Sequence, residues 1–377
     1  MSGFIDTDDL CFFYSGNDRL SLDGVNIHIR KGVKTAILGA NGAGKSTLFY
    51  HLNGVFEPSE GKVLFNGEPI SYRKKALRDL RSKVSVVLQN PDDQIFGQTV
   101  EDDVAYGPRN LRLPESEVKN RVDHALRILG LESLRKRNTL QLSYGQRKRL
   151  ALAGALAMKP EVLIMDEPTA GLDPQMALEL MELAEQLHHN GTNVIISTHD
   201  IDLAYAWADD IHVLRRGRLI YSGDSEGFYS DATSVYMTGL MQPSMFLINK
   251  SLCGMRGVSE EPYPRTETQL VSKMVSGDKG RFRIVPVKDR LDKYMADAAL
   301  EGLDDVVMGI YGSNTRYLLP ESKLPMDYVF DGFEMCMSDC LMGKDAVLFC
   351  DEDMVDVIES RIRRLEDFGT EVDWSLV

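Results

Sequence analysis

The run Gly39-Ala40-Asn41-Gly42-Ala43-Gly44-Lys45-Ser46-Thr47 limits what this chain can fold into more than any other stretch. It follows the apolar segment Val33 to Leu38, which reads as a buried strand, and it opens a helix at Ser46-Thr47-Leu48. Gly39, Gly42 and Gly44 let backbone amides turn toward a pyrophosphate with no Cβ in the way, and the helix N-terminus adds further unpaired N–H groups. Lys45 is then placed to reach the outer phosphates and the Ser46 hydroxyl to ligate Mg2+. The plainer alternative, a glycine-rich turn beside an exposed lysine, does not account for the strand before the run and the helix after it.

At 377 residues the chain exceeds one ordinary core and is expected to form two domains, or one large α/β domain with an appendage. No apolar run reaches the roughly eighteen residues a membrane helix needs, and no basic-then-apolar leader opens the chain. The expected location is therefore the cytoplasm, with any membrane reached by docking. A net charge of −14 argues against a broad nucleic-acid footprint. The five cysteines include no Cys-x2-Cys pair and read as reduced thiols.

Leu10 to Tyr14 and Leu22 to Ile29, around the turn-like Ser15-Gly16-Asn17-Asp18, read as a strand pair. Tyr14 is a candidate to lie flat on an adenine, against the alternative of a half-buried strand aromatic. Gly61 to Gly67 and Val84 to Leu88 read as further strands, the second ending at Gln89 and followed by Asn90-Pro91-Asp92-Asp93-Gln94-Ile95-Phe96. Helical spacing runs from Glu101 to Leu134. Leu142-Ser143-Tyr144-Gly145-Gln146 then opens a largely apolar helix, where Ser143 serves either as a cap or, with Gly145, at an anion-binding helix end.

Val162 to Met165 is a fully apolar strand ending in Asp166-Glu167. Adjacent carboxylates at the carboxyl end of a buried strand are costly unless they serve a metal and a water. A turn at Gly171-Leu172-Asp173-Pro174 leads into a helix to about His188, and the strand Asn193 to Ser197 ends at Thr198-His199-Asp200, with His199 level with Asp166. Ile211 to Leu214 and Arg218 to Tyr221 flank Arg216-Gly217 as a hairpin.

Six motifs in this order resemble the ATP-binding subunit of an ABC transporter over about residues 3 to 270. They are the phosphate loop, Gln89, Leu142–Gln146, Asp166-Glu167, Gly171-Leu172-Asp173 and His199. The resemblance implies an α/β P-loop NTPase with a helical subdomain and chemistry on ATP and Mg2+. Tyr14, residues Gly39, Ala40, Asn41, Gly42, Ala43, Gly44, Lys45, Ser46 and Thr47, and Gln89 would hold the nucleotide. Ser46, Gln89 and Asp166 would serve Mg2+. Glu167 would orient the attacking water and His199 would sense the γ-phosphate, with Lys45 and Gln89 completing the catalytic set. Ser143, Gly145 and Gln146 would contact a nucleotide held by a second subunit, so the working unit is expected to be a homodimer or a heterodimer with a related ATPase. Gln89 and Pro91 to Phe96 would couple it to integral membrane subunits, on the cytoplasmic side of a cell membrane, with no nucleic acid involved.

More narrowly, Gln89 to Phe96, Leu22-Asp23-Gly24-Val25-Asn26 and Tyr144, where the usual signature has glycine, resemble the energy-coupling-factor group, especially its cobalt and nickel uptake ATPases. Uptake of a vitamin or other micronutrient is the alternative, and a soluble ABC-type ATPase of DNA repair or translation is a further one. The short spacing between Gln89 and Leu142 leaves no room for the coiled coils of repair members.

Residues 1–275 are therefore expected to form the ATP-binding domain with its tail, and 276–377 a small accessory α+β domain of possible regulatory role. Residues 241–377 carry 25 acidic and 16 basic side chains, so this end holds −9 of the net charge. Met335, Cys336, Met337 and Cys340 present soft groups that would suit a transition metal, though filling a small core is the simpler role.

Overall fold

The computed structural model describes residues 4–16, 19–303 and 305–377. Chain contacts group into two units: residues 1–172 with 191–243, and residues 173–190 with 244–377.

The first unit starts with β1 (Ile5–Phe12), β2 (Leu22–Val25) and β3 (His28–Ile29), which pair antiparallel with β1 in the middle. Asn17 and Asp18 of the expected turn lie outside the described residues. β4 (Thr35–Leu38) leads through the glycine loop into α1 (Lys45–Leu52). β5 (Glu60–Phe65) returns to pair with β1 and carries β6 (Glu68–Pro69). α2 (Lys74–Lys83) and β7 (Val84–Val87) precede three helices, α3 (Val100–Asn110), α4 (Glu115–Ile128) and α5 (Tyr144–Leu156). After β8 (Val162–Asp166) comes α6 (Pro174–His189), which groups with the second unit, and then β9 (Asn193–Thr198), α7 (Ile201–Trp207), β10 (Asp210–Arg215), β11 (Arg218–Asp224), α8 (Ser225–Ser230) and α9 (Ala232–Thr238).

The main sheet runs β11-β10-β4-β9-β8-β7 and is parallel except for β11. Every residue of β4, β8 and β9 is buried, the signature of parallel strands covered on both faces. This register decides the site. Leu38 sits opposite Thr198, Asp166 opposite Ser197 and Val87 opposite Met165, so the loops after four strands emerge together at one edge. Beneath them Leu10, Leu22, Val25, Ile37, Leu48, Phe49, Val63, Ile164 and Ile195 form one core cluster. Each fully buried aliphatic or aromatic side chain there contributes about 1.5–3 kcal/mol.

The second unit adds α10 (Ser244–Arg256), α11 (Glu267–Met274), β12 (Arg281–Val287), α12 (Lys293–Leu300), β13 (Val307–Tyr311), α13 (Ser313–Ser322), α14 (Gly332–Leu341), β14 (Ala346–Asp351), α15 (Val355–Arg363) and β15 (Asp373–Leu376). Where the sequence predicts an α+β appendage, the strands run parallel in the order β13-β14-β12-β15 with helices between them, an α/β arrangement. The last helix is α-helical at Val355–Arg363, with tight 3-10 turns on either side at Glu352–Met354 and Glu366–Phe368.

Cys336 and Cys340 do share a face of α14, and that face is core: both thiols and Met337 are fully buried with Phe282, Ile284 and Leu348. Burial pushes the Cys340 thiol up to about 12 and raises Cys336 as well, which disfavours the thiolate a metal requires. Among the described residues no group of three or more His, Cys, Asp and Glu is placed to hold a metal ion. Nor, among them, is any helix long and apolar enough to cross a membrane.

Candidate functional site

The glycine loop adopts backbone that side chains resist. Gly39, Gly42 and Gly44 have φ of 150°, 78° and 108°. A Cβ on Gly39 would stand 2.4 Å from the Leu214 carbonyl oxygen, and one on Gly44 would stand 2.9 Å from that of Ser21. The loop is held from below, because the Ala43 N–H donates to Ala40 O and the Gly217 N–H donates to Ala43 O. Lys45 is buried and its Nζ donates to Gly39 O at 2.6 Å.

At the end of β8, Asp166 accepts a hydrogen bond from the Ser197 hydroxyl on β9. Glu167 has a φ of 47°, a strained value for a residue with a side chain, and its N–H donates to Ser197 O and Oγ. That turn aims the carboxylate back across the loop. Glu167 Oε1 lies 3.3 Å from Lys45 Nζ, an ion pair without hydrogen-bond alignment, and Oε2 accepts from His199 Nδ1 at 2.8 Å. Lys45 at the start of α1 and His199 just past β9 thus meet at the carboxylate of Glu167, just past β8. Glu167 is buried while the His199 ring is largely exposed.

A cavity of about 610 Å³ joins Tyr14, residues 41–47, Gln89, Asp166 and Glu167. Tyr14 Oη shares a hydrogen bond with Thr47 Oγ1 at 3.0 Å, and its ring stands edge-on to Phe12 and Phe56. Arg19, Leu20, Ser21, Arg216 and Gly217 also line the cavity and were not singled out from sequence. The Arg216-Gly217 turn was legible as a hairpin; its place beside the phosphate loop follows from the Gly217–Ala43 hydrogen bond.

Ser143, Gly145 and Gln146 do not line this cavity. Ser143 is exposed at the start of α5 and forms a reciprocal cap with Gln146: Gln146 N donates to Ser143 Oγ at 3.3 Å, and Ser143 N donates to Gln146 Oε1 at 3.0 Å. Behind it, Lys148 is buried and donates to the carbonyls of Glu167 and Ala170. Burial holds its ammonium down at about 8, against the pull of Glu167 and Asp166.

The donor set fits a nucleotide triphosphate with Mg2+. Gly39 and Gly44 have no room for a Cβ and all three glycines hold left-handed backbone, so the loop keeps bare amides for phosphate oxygens; Lys45 and Glu167 pair beside it, and one carboxylate with one hydroxyl suits an ion that keeps waters and phosphates as its other ligands.

Residues 22–170 match the ABC transporter family. The chain is 46% identical over 239 residues to the energy-coupling factor transporter ATP-binding protein EcfA of Methanocaldococcus jannaschii, across 63% of this chain and 85% of that protein. It is 35% identical over 351 residues to EcfA2 of Methanospirillum hungatei, across 91% of this chain and 88% of that one, a span too long to stop before the second unit's sheet. Among solved structures it is similar to cbiO1 of Clostridium perfringens, described as part of the ABC transporter complex cbiONQ, with 39% identity, a TM-score of 0.56, and coverage of 68% of this chain and 100% of that one.

Proposed function

Because the chain belongs to the energy-coupling factor ATP-binding proteins within the ABC transporter ATPases, enzymes that hydrolyse ATP to power transport, we propose that it drives a membrane importer of cobalt or nickel ions. The observation that carries the working model is the division of the motifs. One cavity gathers the phosphate loop, Gln89, Asp166 and Glu167 but excludes Ser143, Gly145 and Gln146 of the same chain. A second ATPase chain, identical or related, completes the site by presenting those three residues to the nucleotide.

In this reading Tyr14 stacks on the base, the amides of residues 39–47 hold the phosphates, and Lys45 exchanges Glu167 for the outer phosphates. Ser46, Asp166 and Gln89 would hold Mg2+, which would supply charge neutralisation at the phosphate oxygens. Glu167 orients and polarises the attacking water, and His199 bridges that carboxylate and the γ-phosphate. Catalysis is then chiefly positioning and electrostatic stabilisation. The Gln89 to Phe96 segment couples closure of the pair to integral membrane subunits on the cytoplasmic side.

Residues 1–275 act as the motor and 276–377 as an accessory domain that regulates it through α6. Arg316 Nη2 lies 2.6 Å from Glu182 Oε2, Gln186 Nε2 donates to Asp351 and Asp353, and Asn190 donates to Asp353. These bonds hold a helix that begins where the Gly171-Leu172-Asp173 turn ends.

The cobalt or nickel assignment rests on the likeness of Gln89 to Phe96, Leu22 to Asn26 and Tyr144 to metal-uptake ATPases. Uptake of radiolabelled cobalt and nickel by cells producing this chain with its neighbouring membrane subunits tests it. Accumulation abolished by Glu167→Gln supports the reading; accumulation of a vitamin instead, with no metal, replaces it.

A further inference from the structure

One face of α5 carries Tyr144, Arg147, Lys148 and Ala151, at the three-and-four spacing that aligns side chains along a helix. On one side this face meets the segment after β7. The Tyr144 hydroxyl donates to Gln89 O at 3.3 Å, Arg147 Nε lies 2.8 Å from Asp92 Oδ1, and Gln94 Nε2 donates to Ala151 O at 3.3 Å. Gln94 Oε1 in turn accepts from Leu88 N at 3.0 Å, which fixes the segment to its own strand.

On the other side the face meets the segment after β8. Lys148, 1% exposed, donates to Glu167 O at 2.8 Å and to Ala170 O at 2.9 Å. The Tyr144 ring lies on Gly171, where a Cβ would stand 2.8 Å from Cε1. A buried ammonium is tolerated only when its donors are matched, and here main-chain carbonyls flanking the hydrolytic residue match them.

We propose that Tyr144 and Lys148 are positioning residues that fasten the signature helix to both the Gln89 segment and residues 167–171, so that displacement of the first is relayed to the Glu167 carboxylate. The inference rests on the roles given above to Gln89 and Glu167. It accounts for a tyrosine at a position where the usual signature has glycine: the ring supplies the link to Gln89, and Gly171 makes room for it. Lys148 carries the same link to the backbone of the residue that orients water, so a shift of α5 is felt where the geometry of attack is set.

The test uses the purified full-length chain with Lys148→Met, Lys148→Arg, Tyr144→Ala and Lys45→Ala, measuring ATP affinity, kcat, KM and amide hydrogen exchange with and without ATP. Lys148→Met is expected to lower kcat roughly tenfold, a small displacement of a catalytic group, with ATP affinity within about twofold. Lys148→Arg, which keeps charge and donors, should recover part of that loss. Tyr144→Ala should leave ATP-dependent protection at residues 166–171 but weaken it at residues 89–96, where the Arg147–Asp92 and Gln94–Ala151 contacts remain. If Lys148→Met fails to fold, the other two variants carry the test. Unchanged kcat in Lys148→Met together with wild-type exchange in Tyr144→Ala overturns the inference, as does a loss of ATP affinity equal to the loss of kcat. Lys45→Ala separates the levels: if its turnover is intact, the nucleotide reading itself has failed, whereas if its turnover is lost while Lys148 and Tyr144 are neutral, only the relay is wrong.

Discussion

Glu167 holds His199 and Lys45 at opposite oxygens, with His199 Nδ1 2.8 Å from Oε2 and Lys45 Nζ 3.3 Å from Oε1. Glu167 does so from left-handed backbone, immediately after a buried strand. In the mechanism we propose, an incoming phosphate would compete for Lys45 and free one carboxylate oxygen to take a water while His199 steadies the other.

Glu167→Gln keeps the shape of that side chain and removes its charge. ATP binding should be retained and hydrolysis should fall by on the order of a hundredfold or more, as expected for loss of a group acting mainly in the transition state. Steady-state turnover beside equilibrium ATP binding checks this.

Gly39→Ala places a Cβ 2.4 Å from the Leu214 carbonyl, at a φ of 150°. The backbone of the loop or of β10 must move. Loss of ATP binding is expected, with destabilisation of about 1–3 kcal/mol from strain and overpacking. Calorimetry and nucleotide binding on the variant report the two effects separately.

His212, buried in β10 with Nδ1 against the Ser222 hydroxyl, is held down at about 4 by burial; Asp210 pulls the other way, and His28 and Arg30 add to the lowering. Its value when unfolded is near 6.5, so below that pH the unfolded chain takes a proton that the folded chain refuses. His212 therefore costs stability as pH falls from 6.5 toward 4. The melting temperature of His212→Gln should decline less steeply across that window than that of the wild type.

Arg316 is the charged partner of Glu182, whose carboxyl burial pushes up. Arg316→Met strands a buried acid and is expected to destabilise the second unit by about 3–5 kcal/mol, while the double variant Arg316→Met/Glu182→Met loses less, because no charge is left unpaired. Denaturant melts of the single and double variants measure the difference.

The glycine loop, the strands before Asp166-Glu167 and His199, and the polar ends of those strands were legible because their signals are local: spacing, apolar runs and turn chemistry. Arg19, Ser21 and Arg216 were not, since their position depends on pairing between segments far apart in sequence, such as Gly217 with Ala43. Lys148 reads as one basic residue among three at a helix start, and nothing local marks it as the buried one. β13 and β15 carry no clear strand signal because they are short, and Gly309 and Ser375 interrupt their apolar pattern. Gly309 is there for Cys336, whose Sγ would stand 2.5 Å from an added Cβ. The grouping of α6 with the second unit follows from Glu182, Gln186 and Asn190, polar residues on a helix whose sequence pattern gives no sign of a partner.

The most direct test of the central claim is magnesium-dependent ATP turnover by the purified chain and by Lys45→Ala. Hydrolysis that requires Mg2+ and falls at least about a hundredfold in the variant is the expected result. Equal turnover in both proteins, or no magnesium-dependent ATP binding by the wild type, would contradict it.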